Sequence, residues 1–190
     1  MEAIIICLFA GMIGLFFAYI CSFFLNKVFP STLDLGLATF AILLLSPLII
    51  FFYFLIYFEN QSPFFFQERI GRNKKKFILI KFRTMRIGTK SCATHLVDAS
   101  KITKLGNFLR KTKIDEIPQL FNVIKGEMSL VGPRPCLPSQ EKLISLRSNF
   151  NLYDFLPGIT GLAQIKNIDM SDPIKLSETD YLMMRNLNIY

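Results

Sequence analysis

The sequence predicts an α+β membrane protein: two apolar helices at the N-terminus, then a small, basic, water-facing domain of mixed helices and strands. Three observations predict it. From Met1 to Phe58 the only charged residues are Glu2, Lys27 and Asp34, in a chain that is 52% hydrophobic and holds 20 phenylalanines. The remainder therefore carries a net +9, against +8 for the whole chain. That remainder alternates β-prone runs, Gly- and Pro-marked turns and helical periodicities, with no internal repeat and no boundary between two soluble domains. A basic face beside a bilayer attracts anionic headgroups and phosphorylated ligands. Nucleic acid, the competing partner, is not expected, because the apolar front argues against it and no reading helix or RNA-binding aromatic motif is present.

Ala3 to Leu25 is a nearly unbroken apolar run, long enough at ~1.5 Å per residue to cross a hydrocarbon core of ~30 Å. No Lys or Arg precedes it, so residues 1–28 read as an uncleaved transmembrane helix rather than a signal peptide. Pro30 and Ser31 are expected to break it. Residues 34–58 form the second apolar helix, with Ser46-Pro47 near its middle. Proline removes a backbone donor and bends or breaks a helix, and a neighbouring serine can bond the freed carbonyl. Two courses stay open: a proline-kinked spanning helix, or a re-entrant helix–break–helix that enters and leaves by one face. Arg69, Arg72, Lys74, Lys75 and Lys76 place the following domain, residues 59–190, on the cytoplasmic side. Lys27 then suits the re-entrant course, which leaves the Lys-free N-terminus outside.

Gln61 to Met85 reads as a hairpin, with β-prone runs Phe64 to Phe66 and Phe77 to Phe82 around a Gly71-Arg72-Asn73 turn. Its lysines read as a solvated face or as headgroup contacts. Lys81, Arg83 and Arg86 deliver cations to one place at the strand end. Ile87 to Ser100 reads as a loop, and in Lys101 to Lys111 the spacing of Leu105, Phe108 and Leu109 suggests one helical face. Asp115 is expected to cap the next helix, with Pro118 in its first turn, Ile117, Leu120, Phe121 and Ile124 as its core face, and Gly126 as its stop. Met128 to Val131 is a strand candidate leading into the stiff turn Pro133-Arg134-Pro135. Ser139 is expected to cap a helix reaching Phe150. Leu156 to Gly161 reads as a turn before a strand at Leu162 to Ile165, and Ser171-Asp172-Pro173 starts a last helix over Ile174 to Asn186. Cys7, Cys21, Cys92 and Cys136 form no CxxC pair and read as free thiols, and the single His95 has no ligand-spaced partner, so no zinc site is expected.

The candidate chemistry lies at Asp115 and Glu116. Such a pair at a helix start usually serves as cap and dipole complement. The functional reading is that the helix N-terminus keeps Asp115 deprotonated, as a metal ligand or nucleophile. Arg110, Lys111, Lys113 and Arg134 surround it in sequence and supply phosphate-binding cations. Few carboxylates and hard oxygens suit Mg²⁺, which binds through one or two carboxylates plus substrate phosphates. Phosphoryl transfer is mostly positioning and charge neutralisation, and a carboxylate can attack phosphorus directly.

Three stretches carry a family resemblance: KFRTM (Lys81 to Met85), FLRKTKIDEIPQLFNVIKGEMSLVGPRP (Phe108 to Pro135) and LPGITGLAQI (Leu156 to Ile165). They resemble the bacterial sugar transferases, the monotopic phosphoglycosyl transferases, over about Asp34 to Tyr181. The resemblance implies transfer of a sugar 1-phosphate from a nucleotide diphosphate sugar, usually a UDP-sugar, to polyprenyl phosphate, with release of a nucleoside monophosphate. It implies a catalytic domain on the cytoplasmic face of a bacterial inner membrane, starting an exopolysaccharide, O-antigen or glycoprotein glycan. By the same resemblance Asp115 is the nucleophile and lies at Mg²⁺, and Glu116 completes the dyad. Arg134 with Pro133 and Pro135 makes a phosphate-binding turn, and Ser46 and Pro47 make the re-entrant break. Arg110, Lys81 and Arg83 are expected to offset charge on the substrate phosphates. The rival is a non-enzymatic or inactive, truncated membrane protein whose basic domain binds anionic lipid or a glycan-assembly partner. Neither the sugar nor the oligomeric state is written in the sequence.

The chain departs from the family pattern in three places. Pro30-Ser31-Thr32-Leu33 stands where Lys-Arg usually precedes the aspartate of the embedded helix. Ala3 to Leu25 is an extra apolar run. The chain stops at Tyr190, where the family usually continues into another amphipathic segment.

Overall fold

The computed structural model describes residues 30–89 and 99–187. The expected helix over residues 1–28, Lys27, and Cys7, Cys21, Cys92 and His95 lie outside the described residues. Helix α1 runs from Pro30 to Asn60. Pro30 therefore starts a helix, where its missing N–H costs nothing, rather than only ending one. The expected interruption at Ser46-Pro47 is not a break in the hydrogen-bonded helix, which continues through Pro47. The Ser46 hydroxyl donates to the Leu43 carbonyl at 2.8 Å, the acceptor that Pro47 leaves without its N–H partner. α1 is long and apolar enough to cross a membrane, and only 11% of its most apolar window is buried within the protein. Phe40, Leu43, Leu44 and Phe58 are among the side chains it leaves uncovered.

Strand β1 (Phe64–Ile70) pairs antiparallel with β2 (Lys76–Phe82), Phe64 opposite Phe82 and Ile70 opposite Lys76. This is the expected hairpin. Its turn is closed by Asn73 and Lys74 in the left-handed region, which asparagine tolerates well. Alternation along β2 buries Phe77 and Leu79 on one face, and the same period carries Lys81 inward beside them. Helix α2 (Lys104–Thr112) is capped by the Thr103 hydroxyl, which accepts from Gly106 N at 2.9 Å. Leu109 is its buried apolar side chain, whereas Phe108 stays half exposed beside Phe52 of α1.

A 3₁₀ turn over Ile114–Gln119 leads into helix α3 (Leu120–Ile124). Asp115 does not cap it. Lys113, in the left-handed conformation, ends α2 and starts the 3₁₀ turn at once, with no side-chain cap. The buried side of this unit is Leu120, Asn122 and Val123, while Phe121 and Ile124 are partly exposed. The tight turn shifts the helical phase that the apolar spacing predicted. Gly126 ends α3 at φ 72°, as expected.

β3 (Ser129–Val131) pairs in parallel with β4 (Gly158–Thr160), and Leu162–Ile165, expected as a strand, is the single-turn helix α5. The strand comes earlier because Gly158 lies directly on Gly132. A β-carbon on Gly158 would sit 2.0 Å from Gly132 N, so only glycine permits this approach. Helix α4 (Glu141–Asn149) starts after Gln140, not at a Ser139 cap, and Gln140 bonds Leu137 N instead. The last helix, α6 (Pro173–Leu187), begins as expected, with the Asp172 carboxylate accepting from Lys175 N.

Core packing joins α1 to the domain along its length. Ala38 packs with Phe77, Leu79, Leu120, Val123 and Met128. Ile49, Phe52 and Ile56 pack with Phe82 and Leu109. Asp34 accepts from Leu130 N at 3.4 Å, and Glu59 accepts from the Thr103 hydroxyl at 3.0 Å.

Candidate active site

The 3₁₀ turn packs on β2 and brings two acids beside the cations of the strand end. Glu116 Oε1 accepts from Lys81 Nζ at 2.9 Å and from the Arg134 guanidinium at 2.6 Å. All three side chains are largely buried. Burial pushes the Glu116 carboxyl up, but the charges and hydrogen bonds of Lys81 and Arg134 outweigh it and hold it at about 2. Lys81 is pulled below the usual lysine range by burial and by the nearby Arg134 charge, which Glu116 only partly offsets.

Asp115 is in the opposite condition. Its side chain is buried and its Oδ1 has no hydrogen-bond partner. Burial, reinforced by the Glu116 charge, pushes its carboxyl upward against the pull of Lys81, Arg110 and Lys113. The expected depression by a helix N-terminus is thus reversed, because desolvation dominates in so short a turn. Neither acid caps a helix with its side chain, so the cap reading of the dyad does not hold.

Pro133-Arg134-Pro135 is a turn that offers carbonyls and almost no N–H groups. Each carbonyl from Pro133 to Cys136 is taken by a donor distant in sequence: Gly158 N to Pro133 O, Arg147 to Arg134 O, and, from the end of β1, Arg69 to Pro135 O and Ile70 N to Cys136 O, all within 3.0 Å. Arg147 is itself held by Asp180 at 2.6 Å in a fully buried pair. Burial lowers the Arg69 guanidinium to about 10, helped by the Arg134 charge. The turn thus aims Arg134 at Glu116 from a backbone that is tied down throughout.

A cleft of about 900 Å³ opens beside these groups, within the size range of small-molecule sites. Its lining includes the charged Lys113, Glu116, Arg134 and Asp169, the apolar Ile117, Leu130 and Ile159, and the polar Thr160, Gln164 and Asn167. Of the residues expected at the site, Lys81, Glu116, Arg134 and the flanking Pro133 and Pro135 are brought together. Arg110 comes alongside, its Nε bonded to the Thr84 hydroxyl at 2.9 Å. Arg83 does not: it donates to the carbonyls of Ser62 and Phe64 and lies over the Phe65 ring. Ser46 and Pro47 lie away in α1.

Several supporting residues escaped the sequence reading. Asn122, fully buried, accepts from Ile80 N and donates to Ile78 O, tying α3 to the free edge of β2. Arg69, Arg147 and Asp180 brace the arginine turn, and Thr84 orients Arg110. No local signal marks them, since each acts on a residue distant in sequence. Among the described residues no group of three or more His, Cys, Asp or Glu side chains could hold a metal unaided. The buried, unpartnered Asp115 Oδ1 nevertheless has the donor chemistry of a hard cation's ligand, one carboxylate oxygen with the rest of the shell from substrate phosphates and water.

A family model described as bacterial sugar transferase matches residues 25–190. The chain belongs to that family. Relatives include the UDP-glucose:undecaprenyl-phosphate glucose-1-phosphate transferase of Escherichia coli (strain K12), 37% identical over 145 residues, 74% of this chain and 31% of that protein. The UDP-galactose-lipid carrier transferase of Erwinia amylovora is 35% identical over 158 residues, 74% of this chain and 33% of the relative. An uncharacterized sugar transferase of Bacillus subtilis (strain 168), EpsL, is 38% identical over 158 residues, 83% of this chain and 78% of the relative. The chain thus spans about a third of the first two relatives and most of the third. Every residue of the dyad, the arginine turn and the cleft lies inside the family match.

Proposed function

We propose that this chain transfers a sugar 1-phosphate from a UDP-sugar to polyprenyl phosphate and releases UMP, through a covalent intermediate on Asp115. One observation carries the reading: two adjacent acids are in opposite states, and the second of them lines the cleft. Glu116 is saturated by Lys81 and Arg134, whereas Asp115 Oδ1 is buried and unpartnered. A saturated carboxylate organises its neighbours; an unpartnered one is left for a reaction or a ligand. The names of the relatives, a glucose-1-phosphate transferase acting on undecaprenyl phosphate and a galactose-lipid carrier transferase, support the substrate classes.

In the first step an Asp115 carboxylate oxygen attacks the sugar-bearing phosphorus. The bond from that phosphorus to the bridging oxygen breaks, and its electron pair leaves with UMP. In the second step an oxygen of the lipid phosphate attacks the same phosphorus, and the acyl phosphate bond breaks to return the Asp115 carboxylate. Arg134 and Lys81 offset charge on the phosphoryl oxygens, and Glu116 holds both cations in place. Arg110, set by Thr84, adds a third cation. Mg²⁺, when bound by Asp115 and substrate phosphates, supplies further charge neutralisation.

The membrane placement belongs to the same reading. Asp34 and Glu59 lie near opposite ends of α1, about 38 Å apart along a straight helix, yet both bond to the one basic domain. An upright spanning helix carries one of those ends across a hydrocarbon core of ~30 Å, away from the domain. Contact at both ends counts against an upright span and favours a course with both ends on the cytoplasmic face of the inner membrane, where Arg72, Lys74, Lys75 and Lys76 belong, either bent at Pro47 into a re-entrant helix or lying along the interface.

The test uses the full chain in detergent with undecaprenyl phosphate and UDP-glucose, UDP-galactose or UDP-N-acetylgalactosamine in turn. The expected result is Mg²⁺-dependent UMP release with at least one donor and none from Asp115→Ala. Release by Asp115→Ala at the wild-type rate overturns the assignment. Cysteines introduced at Thr32 and Gln61 should be labelled from the same membrane face, and labelling from opposite faces removes the re-entrant course.

A further inference from the structure

The cleft lining contains a cation that the proposed reaction has not used. Lys113 lines the cleft with Glu116 and Arg134. The other nearby cations are engaged: Lys81 and Arg134 on Glu116, Arg110 Nε on Thr84, Arg69 on the Pro135 carbonyl, and Arg83 on the β1 backbone. Lys113 is exposed and its ammonium has no partner among the described residues. Its charge nevertheless acts on the Asp115 carboxyl two residues on.

The backbone at this position carries a second signal. Lys113 sits at φ 61°, ψ 13°, where α2 ends and the 3₁₀ turn begins. Its N–H bonds Arg110 O, and its carbonyl accepts from Glu116 N. A β-carbon is disfavoured in this conformation, and glycine is the residue that helix ends usually place there. A lysine is therefore held where sterics favour no side chain at all, on the segment that carries both acids. Gln61 and Lys74 adopt the same backbone region elsewhere; what sets Lys113 apart is that it also lines the cleft, two residues before Asp115.

We propose that Lys113 is a phosphate-binding residue of the cleft, receiving the nucleotide-side phosphate of the UDP-sugar as its bond to the sugar-bearing phosphorus breaks. This rests on the transferase reading above. Negative charge grows on the departing UMP in the first step, while Lys81 and Arg134, held on Glu116, are assigned to the transferred phosphoryl group. A lysine ammonium is a compact charge on a flexible stem, able to follow a phosphate as it leaves. The lipid phosphate offers the same chemistry, and the kinetic arms of the test separate the two sources.

The left-handed backbone makes the test clean. Lys113→Gly removes the charge and relieves the strain, so its thermal midpoint should equal or exceed that of the wild type. Its kcat/KM for the UDP-sugar should fall about tenfold or more, the scale of one lost charge-assisted contact. UMP should inhibit it more weakly by a similar factor, the KM for undecaprenyl phosphate should stay within about twofold, and Lys113→Arg should recover most of the loss. The inference is overturned if Lys113→Gly keeps wild-type kcat/KM, if the loss falls on the lipid KM, or if Lys113→Arg recovers nothing. A wild-type chain that releases no UMP from any donor overturns the transferase reading itself, whereas an active wild type with an indifferent Lys113→Gly removes only this inference.

Discussion

Two segments meet at the cleft and are built by opposite rules. In the arginine turn, four successive carbonyls from Pro133 to Cys136 each have a donor, and Arg134 finds its carboxylate at 2.6 Å. In the segment from Lys113 to Gln119, a lysine is held in a strained backbone, and Asp115 Oδ1 and Gln119 Nε2 are buried without partners. The first is what a binding surface needs: groups fixed before the ligand arrives. The second keeps free-energy cost in the free protein, at the residues proposed to change partners during a reaction. Arg69 Nε and Arg147 Nε in the brace are also buried without partners, so the telling difference lies between the two carboxylates: Glu116 holds two cations, and Asp115 Oδ1 holds none.

The largest expected effect breaks the contrast at Asp115. Asp115→Asn should lower UMP release by roughly 10³-fold or more, as expected for loss of a nucleophile. It should leave the thermal midpoint unchanged or raised, since a neutral amide replaces a carboxylate that burial disfavours. A lower midpoint with retained activity would make Asp115 a structural residue.

The braced turn should respond in stability instead. Arg147→Met leaves Asp180 charged and buried and Arg134 O without its donor, at a cost of about 3–5 kcal/mol in denaturant unfolding. Adding Asp180→Leu should return much of that loss, because the pair is then replaced by apolar packing. If the single variant unfolds like wild type, the turn does not depend on this brace.

Glu116 sharpens the comparison through pH. Its folded carboxyl lies at about 2, below an unfolded value of ~4.3. It therefore adds stability above ~4.3 that is lost as pH falls towards 2, on the order of 2 kcal/mol after allowing for partial exposure. Glu116→Gln should lose that margin at neutral pH, and thermal melts of the two proteins should converge as pH drops through this window. Curves that stay parallel would mean Glu116 is not held by Lys81 and Arg134 in solution. The smallest effect belongs to Ser46→Ala, which leaves the Leu43 carbonyl of α1 without its donor and should cost about 0.5–1 kcal/mol in unfolding.

Much of the fold was legible because it rests on local rules. Phe64–Ile70 and Lys76–Phe82 carry strand composition around a turn residue suited to positive φ, and the hairpin forms as read. Asp172-Pro173 and Gly126 behave as helix start and stop for the same reason. The misreadings also have local causes. Asp115 looked like a cap, but the chain enters its helix through a 3₁₀ turn that changes which side faces inward. Leu162 to Ile165 looked like a strand, but pairing with β3 selects Gly158–Thr160, where two glycines let the backbones touch. At the site, Asp115, Glu116 and Arg134 were visible as charges in a short span, whereas Arg69, Asn122, Arg147 and Asp180 were not, because each acts on a segment far along the chain.

By itself the sequence determined an apolar front, a basic remainder, the hairpin and the stiff arginine turn. These follow from composition, periodicity and residue types at short spacing, which need no distant partner. Only the tertiary structure decided that Glu116 is saturated and Asp115 is not, that Arg83 turns away, and that both ends of α1 meet one domain. The physical reason is that burial and ion pairing are set by which segments share a volume. Two adjacent carboxylates with nearly equal intrinsic acidity become different chemical groups only when one is given both cations and the other is buried without a partner.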